Sequence, residues 1–149
     1  MPNFLATQQW MLIALVVFGI IAYIAFIRRR DRKWIERRFG DSKILAMSFG
    51  VNYFGRASEP GKPRKSSGFL LLLSDRLFYR SRMAGLELDI PGKHIVQVYP
   101  GTSIKGLNLH QSVMKVDFIN EKEMKDCAAF KVPYPPQWIQ AIQNNIETA

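Results

Sequence analysis

Cysteine and histidine are almost missing. Cys127 is the one cysteine, and His94 and His110 are the only histidines in 149 residues. One thiol excludes an intrachain disulfide, and so thin a Cys/His set excludes a zinc site built from them. Acidic residues are in deficit, 12 against 21 Lys and Arg, which leaves a formal net charge of +9. A surplus of that size favours partners with negative charge: anionic lipid, nucleic acid or an acidic protein face. The sharpest absence is local, because residues 2–27 hold no Lys, Arg, Asp or Glu. What remains is ordinary globular material, 48% hydrophobic and 22% charged, enough for one domain and a short appendage.

The uncharged stretch from Trp10 to Ile27 is 18 residues long. On an α-helix it covers roughly 27 Å, against a hydrocarbon core of about 30 Å. A cleaved signal peptide carries positive charge before its apolar run and a small-residue cleavage site after it. Here the charge follows, as Arg28-Arg29-Arg30-Asp31-Arg32-Lys33, and Ala22-Tyr23-Ile24-Ala25 makes no clean site. An interfacial helix needs a polar face, and a core helix apolar all round does not suit so small a chain. The run therefore predicts a transmembrane helix, with Trp10 at one interface and arginines snorkelling at the other.

Charge then sets the expected topology. Between 28 and 38, seven basic residues (Arg28, Arg29, Arg30, Arg32, Lys33, Arg37, Arg38) face only Asp31 and Glu36. The positive-inside rule predicts a single-pass protein of the cell (inner) membrane. Residues 1–9 form a short exterior N-terminus, 10–27 span, 28–42 make a basic juxtamembrane helix and linker, and 43–149 are a cytoplasmic domain. Ile35 and Phe39, four apart, continue the helix, and Gly40-Asp41-Ser42 stops it. Within the span, Gly19, Ala22 and Ala25 recur at three-residue steps among Phe18, Tyr23 and Phe26. No small residue there has another four positions on, the spacing of close homodimers, so this groove predicts packing against a different helix.

Beyond residue 43 the pattern changes to period two. Leu45, Met47, Phe49, Val51 and Tyr53 alternate with Ala46, Ser48, Gly50 and Asn52, which predicts a strand with the odd residues on its buried face. Residues 55–67 are rich in Gly, Pro and Ser and read as a loop. Further strands are expected at 68–73, 76–82, 86–90 and 95–99, the last closed by Pro100-Gly101. Residues 100–112 read as a polar loop. Met114, Val116 and Phe118 mark the sixth strand, 120–126 a charged hairpin loop and 127–132 the seventh strand. Pro135-Pro136 opens a helix whose Trp138, Ile142 and Ile146 stand four apart, with Ala141 beside them. Short strands at this spacing predict a small barrel or sandwich with a helix plugging one end.

That order resembles the pleckstrin-homology-like (PH-like) barrel, seven strands capped by a C-terminal helix carrying a Trp. Gly68-Phe69-Leu70-Leu71-Leu72-Leu73-Ser74-Asp75-Arg76-Leu77-Phe78 is similar to the second and third strands of GRAM-related bacterial domains. Leu86-Glu87-Leu88-Asp89-Ile90-Pro91 with Ile95-Val96-Gln97-Val98 is similar to their fourth and fifth strands. Phe130-Lys131-Val132-Pro133 and Trp138-Ile139-Gln140-Ala141-Ile142 are similar to their last strand and helix. The resemblance covers 43–147 and implies a membrane-anchored α+β protein: one transmembrane helix, then a seven-stranded barrel capped by a helix. It also implies an interaction module for phosphoinositides, peptides or proteins. In lipid-binding members the headgroup is held at the open end by a Lys and then a basic-x-Arg element across the first two strands. This chain departs from that signature, since 69–73 holds no basic residue and Lys62-Pro63-Arg64-Lys65 lies wholly in the loop.

No constellation for catalysis is evident. Cys127 lies in an apolar strand and reads as a small core residue. His94 and His110 have no carboxylate or second His at ligand spacing, Glu87 and Asp89 alternate with leucines as a solvated face, and no Gly-rich phosphate loop is present. The chain is expected to be non-enzymatic, with no catalytic residue, metal or cofactor. Basic residues are the binding candidates. Arg56, Lys62, Arg64 and Lys65 crowd the first loop, and Arg76, Phe78, Arg80 and Arg82 share one face of the third strand. For anionic lipid headgroups the candidates are Arg28, Arg29, Arg30, Arg32, Lys33, Lys62, Arg64 and Lys65, with weak electrostatic attraction of about 1 kcal/mol per basic residue. Nucleic acid is not expected, because the charge sits at the membrane and no recognition motif is present. Two functions remain: an accessory or structural subunit bound to an integral membrane partner, or a stand-alone tethered reader of anionic lipid.

Overall fold

A computed structural model describes residues 3–40, 43–82 and 85–148, with side chains as far as Asn145. Ile146, placed on the helix stripe above, and Asp41 and Ser42 of the stop signal lie outside the described residues or side chains. The chain divides into two compact units, Met1–Asp41 and Ser42–Ala149.

The first unit is one helix, α1 (Asn3–Phe39). It is long and apolar enough to cross a membrane. At about 1.5 Å per residue its 37 residues exceed the hydrocarbon thickness, so it carries a polar extension beyond the apolar run. Residues 3–26 are all exposed, Phe18 at 74% and Trp10 at 71%. Apolar side chains turned outward on every face suit lipid, not water. In the basic part, Arg38 stacks over the Trp34 ring at 5.4 Å, and Trp34 meets Phe39 edge-on at 6.2 Å. The helix stops before Gly40, where a β-carbon would run into the Glu36 carbonyl oxygen.

The second unit holds β1 (Ile44–Arg56), β2 (Ser66–Leu73), β3 (Arg76–Ser81), β4 (Glu87–Pro91), a 3-10 turn (Gly92–His94), β5 (Ile95–Ile104), β6 (Leu107–Ile119), β7 (Lys125–Lys131) and α2 (Pro135–Thr148). All neighbouring strands pair antiparallel in the order β4-β3-β2-β1-β7-β6-β5. This corrects the expected barrel: β4 and β5 are the two edges and the sheet does not close. The reason lies in those edges. β4 is five residues long and ends in Pro91, and β5 carries Pro100; neither proline has an N–H to donate to a ladder. The gap between them is filled by a helix. Trp138 and Ile142 of α2 join Leu88 and Ile90 of β4 and Ile95 and Val98 of β5 in one core cluster. Gln143 Nε2 donates to the Val98 carbonyl at 3.1 Å and Asn145 Nδ2 to the Leu73 carbonyl at 3.3 Å, pinning α2 to both halves of the sheet.

Three mutually tilted rings centre that core, with Tyr53–Tyr79 at 5.0 Å, Tyr53–Phe130 at 5.2 Å and Tyr79–Phe130 at 5.6 Å. Tyr79 satisfies its hydroxyl on Ser66 at 3.1 Å. Two local expectations change. First, β1 does not keep one parity. Besides an extra residue between Ile44↔Leu73 and Ala46↔Leu72, the register steps from Ser48↔Leu70 to Val51↔Gly68, which puts a second extra residue on β1. Val51 and Tyr53 face the core after this bulge, whereas Ala46 does before it, leaving Leu45 at 44% and Met47 at 40% exposure. Second, residues 100–112 are not a loop. β5 runs on to Ile104 and β6 begins at Leu107 around the two-residue turn Lys105-Gly106, with φ of 55° and 75°. Pro100 is tolerated because β5 is an edge strand.

Candidate functional site

The sequence points to the basic loop between β1 and β2, residues 57–65, and its base is built on a carboxylate. Asp126, at the start of β7, has a side chain with no exposure. It accepts the Ser58 hydroxyl at 2.5 Å and the backbone N–H groups of Ser58 at 3.0 Å and Cys127 at 2.9 Å. Burial alone would raise its pKa, but these hydrogen bonds to the charged form hold it below the usual range. Arg56 lies across it, 3.9 Å from Asp126, 3.7 Å from Glu59 and 3.3 Å from Glu121. Tyr53 donates to Glu59 at 3.4 Å; burial first, then the Glu59 charge, pushes the phenol well above its ordinary value.

A second cation arrives from a distance. Lys105, at the β5–β6 turn, donates its ammonium to the carbonyl oxygens of Glu59 and Gly61. Sequence reasoning missed this residue because it placed 105 in a loop. The available signal was Lys105-Gly106, a dipeptide suited to the left-handed turn of a tight hairpin.

The loop's cations thus divide. Arg56 and Lys105 are spent on the fold. Lys62, Arg64 and Lys65 are exposed and make no ion pair among the described residues. Lys62 and Arg64 line an open hollow of about 590 Å³ with Glu59, Pro60 and Gly61. The arginines at the two ends of β3 are not available in the same way: Arg76 is bound to Asp89 at 3.1 Å and Asp75 at 3.3 Å, and Arg82, just past the strand, donates to the Phe49 carbonyl at 3.3 Å. Three exposed cations beside Glu59 can attract anionic groups, but they make no buried, convergent pocket for one headgroup.

The remaining sequence candidates lie on α1. Arg28, Arg29, Arg30, Arg32 and Lys33 are all exposed there. Gly19, Ala22 and Ala25 are exposed too, with open space where a β-carbon on Gly19 would go. Cys127 is not the core residue expected. It is half-buried opposite Asp117, on the sheet face away from Ala128 and Phe130, and burial first, then Asp117, pushes its thiol up to about 12. Among the described residues no cluster of His, Cys, Asp or Glu has the makings of a metal site.

No protein-family model matches the sequence, and neither does any curated protein. Solved structures do share the fold. The C-terminal domain of an unknown protein from Leishmania infantum aligns at 15% identity and TM-score 0.55, over 81% of this chain and 98% of that one. The Vps36 N-terminal PH domain aligns at 13% identity and TM-score 0.53, over 73% of this chain and 82% of that one. At such identities the likeness is one of fold: a PH-like sheet and helix in a chain that also carries one long apolar N-terminal helix.

Proposed function

We propose that this chain is a non-enzymatic, single-pass membrane protein whose PH-like unit is an interaction module, serving as an accessory subunit of a larger membrane complex. The N-terminus is outside, and residues 28–149 lie on the cytoplasmic side of the cell (inner) membrane. The GRAM-type reading of the fold belongs to this proposal, carried by the 68–78 pattern. The observation that carries the subunit reading is the division of the basic loop. Arg56 and Lys105 are tied down and Glu59, Glu121 and Asp126 share the same end, so the site offers attraction without a headgroup pocket. Contact with a partner then falls to α1, where Gly19, Ala22 and Ala25 form a narrow groove for a bulky ridge of an integral membrane partner.

The test is purification of the full chain in mild detergent. Gly19→Leu with Ala22→Leu is expected to abolish co-purification of the partner while the chain still inserts and folds. Normal co-purification by that double variant, or a stable homodimer through α1, would sink the subunit reading. The free Lys62, Arg64 and Lys65 favour one alternative, a lipid reader. Its signature is headgroup-selective vesicle binding that survives high salt. The weak attraction expected here comes chiefly from Arg28–Lys33 and disappears with salt.

A further inference from the structure

β1 is paired on both sides for only part of its length. β2 accompanies it from Ile44 onward, but β7 meets it first at Asn52↔Lys131. After Lys131 the chain leaves the sheet through Val132 and Pro133 towards α2. Among the described residues no strand covers the β7 side of residues 44–48, and no backbone hydrogen bond outside the sheet reaches them. Backbone amides and carbonyls along such an edge are a template for another strand. The other edges are guarded, β4 by Glu87, Asp89 and Pro91 and β5 by Pro100. Residues 44–48, Ile-Leu-Ala-Met-Ser, carry no charge and no proline. Beside this bare edge lies a groove of about 500 Å³, walled by Ala46, Met47 and Ser48 on one side and Tyr134, Trp138 and Ala141 on the other. That size is typical of ligand clefts, and the lining is mainly apolar and aromatic, with Ser48 and Gln137 as its polar members. Lys43 and Lys131, both exposed, bracket the stretch of β1 that β7 leaves open.

We infer that this slot takes an extended segment of a partner protein, added antiparallel to β1 in the place β7 vacates. The segment has an uncharged, apolar centre, whose side chains alternate into the groove between β1 and α2, and an acidic residue at one or both ends for Lys43 and Lys131. Backbone hydrogen bonds to 44–48 supply general affinity, and the pocket beside Trp138 supplies selectivity. The bulge after Ser48 is what makes the slot: it swaps the faces of β1 and leaves Leu45 and Met47 exposed at the edge. This deepens the interaction-module reading above and rests on it.

The probe is a library of random twelve-residue peptides panned on the full chain in lipid nanodiscs. Enriched peptides are expected to share an uncharged β-prone centre with acidic flanks, and to slow amide exchange at 44–48. Met47→Lys sets a guarding charge on an exposed edge position, and Ala141→Trp fills the groove. Each is expected to weaken peptide binding tenfold or more, whereas Lys62→Ala with Arg64→Ala and Lys65→Ala leaves it unchanged. If Ala141→Trp fails to fold, Met47→Lys alone decides. No enrichment, undiminished binding by the folded edge variant, or pairing of two copies of this chain through β1 overturns the inference. Loss of co-purification in the α1 variant with peptide binding retained would leave the slot standing apart from the helix groove. A partner retained by wild type and by both slot variants, with no peptide enriched, removes the slot and leaves the subunit reading.

Discussion

Asp126 is where one residue decides most. Burial opposes its charge, but hydrogen bonds from Ser58, the Cys127 N–H and Asn120 outweigh it, so its folded pKa lies below the unfolded one. The stability it adds is fully present above the ordinary carboxylate pKa of about 3.9 and is lost as pH falls through the lower folded value. Asp126→Asn is expected to lower stability by about 1–3 kcal/mol at pH 7, with the deficit shrinking below pH 4. Urea unfolding of both proteins in the same detergent at pH 7 and pH 3 checks this; an equal deficit at both would mean that charge is not the cause. Gly68 is the steric counterpart. It stands opposite Ser81, and a β-carbon there would run into the Arg80 carbonyl oxygen. Backbone cannot yield as a flexible side chain does, so Gly68→Ala is expected to cost about 3 kcal/mol, at the upper end of overpacking. A melting temperature unchanged from wild type would refute that close approach.

Among the elements, α2 does the work that strand pairing does in a closed barrel. Trp138 sits 7% exposed and Ile142 fully buried in the gap between the β4 and β5 edges. Trp138→Ala is expected to cost about 3–5 kcal/mol, the range for large aromatic deletions from cores, and to loosen both edges together. Faster amide exchange in β4 and β5, with β6 and β7 less affected, is the pattern that checks the role of α2; a uniform change would speak for a merely global loss. The β5–β6 hairpin shows what local reading missed. Its Pro100-Gly101 imitates a strand end, yet an edge strand tolerates a missing N–H, and the true turn lies at Lys105-Gly106. That extension carries Lys105 to the first loop, a contact between residues 46 positions apart.

At the scale of the whole molecule, topology is the leading expectation. Cysteines placed at Asn3 and Glu147 should be labelled from opposite faces of the membrane by an impermeant maleimide. The native Cys127 should give little background, because a thiol with its pKa pushed up to about 12 is almost wholly protonated at pH 7. External labelling of the Glu147 site in intact cells would refute the N-out arrangement. Rapid labelling of Cys127 in the folded protein would instead show that its burial opposite Asp117 is wrong.

The sequence alone determined whatever depends on near neighbours. Residues 10–27 form helix that suits lipid because charge is absent from every face, and Arg28 onward ends the apolar run, so the long apolar helix was legible residue by residue. Alternation at 114–118 and the i, i+4 pair Trp138 and Ile142 gave strand and helix for the same reason, since side-chain direction follows the local backbone period. Tertiary structure decided what depends on pairing between distant residues. Whether β4 meets β5 depends on edges separated by a helix that packs from the far end of the chain. Which face of β1 is buried beyond Ser48 depends on the extra residue between Ser48 and Val51 against β2, and a slip of one residue flips every side chain after it. The basic loop read as one patch, yet its charges were sorted by partners at 105, 121 and 126, too far along the chain for any local pattern to reveal.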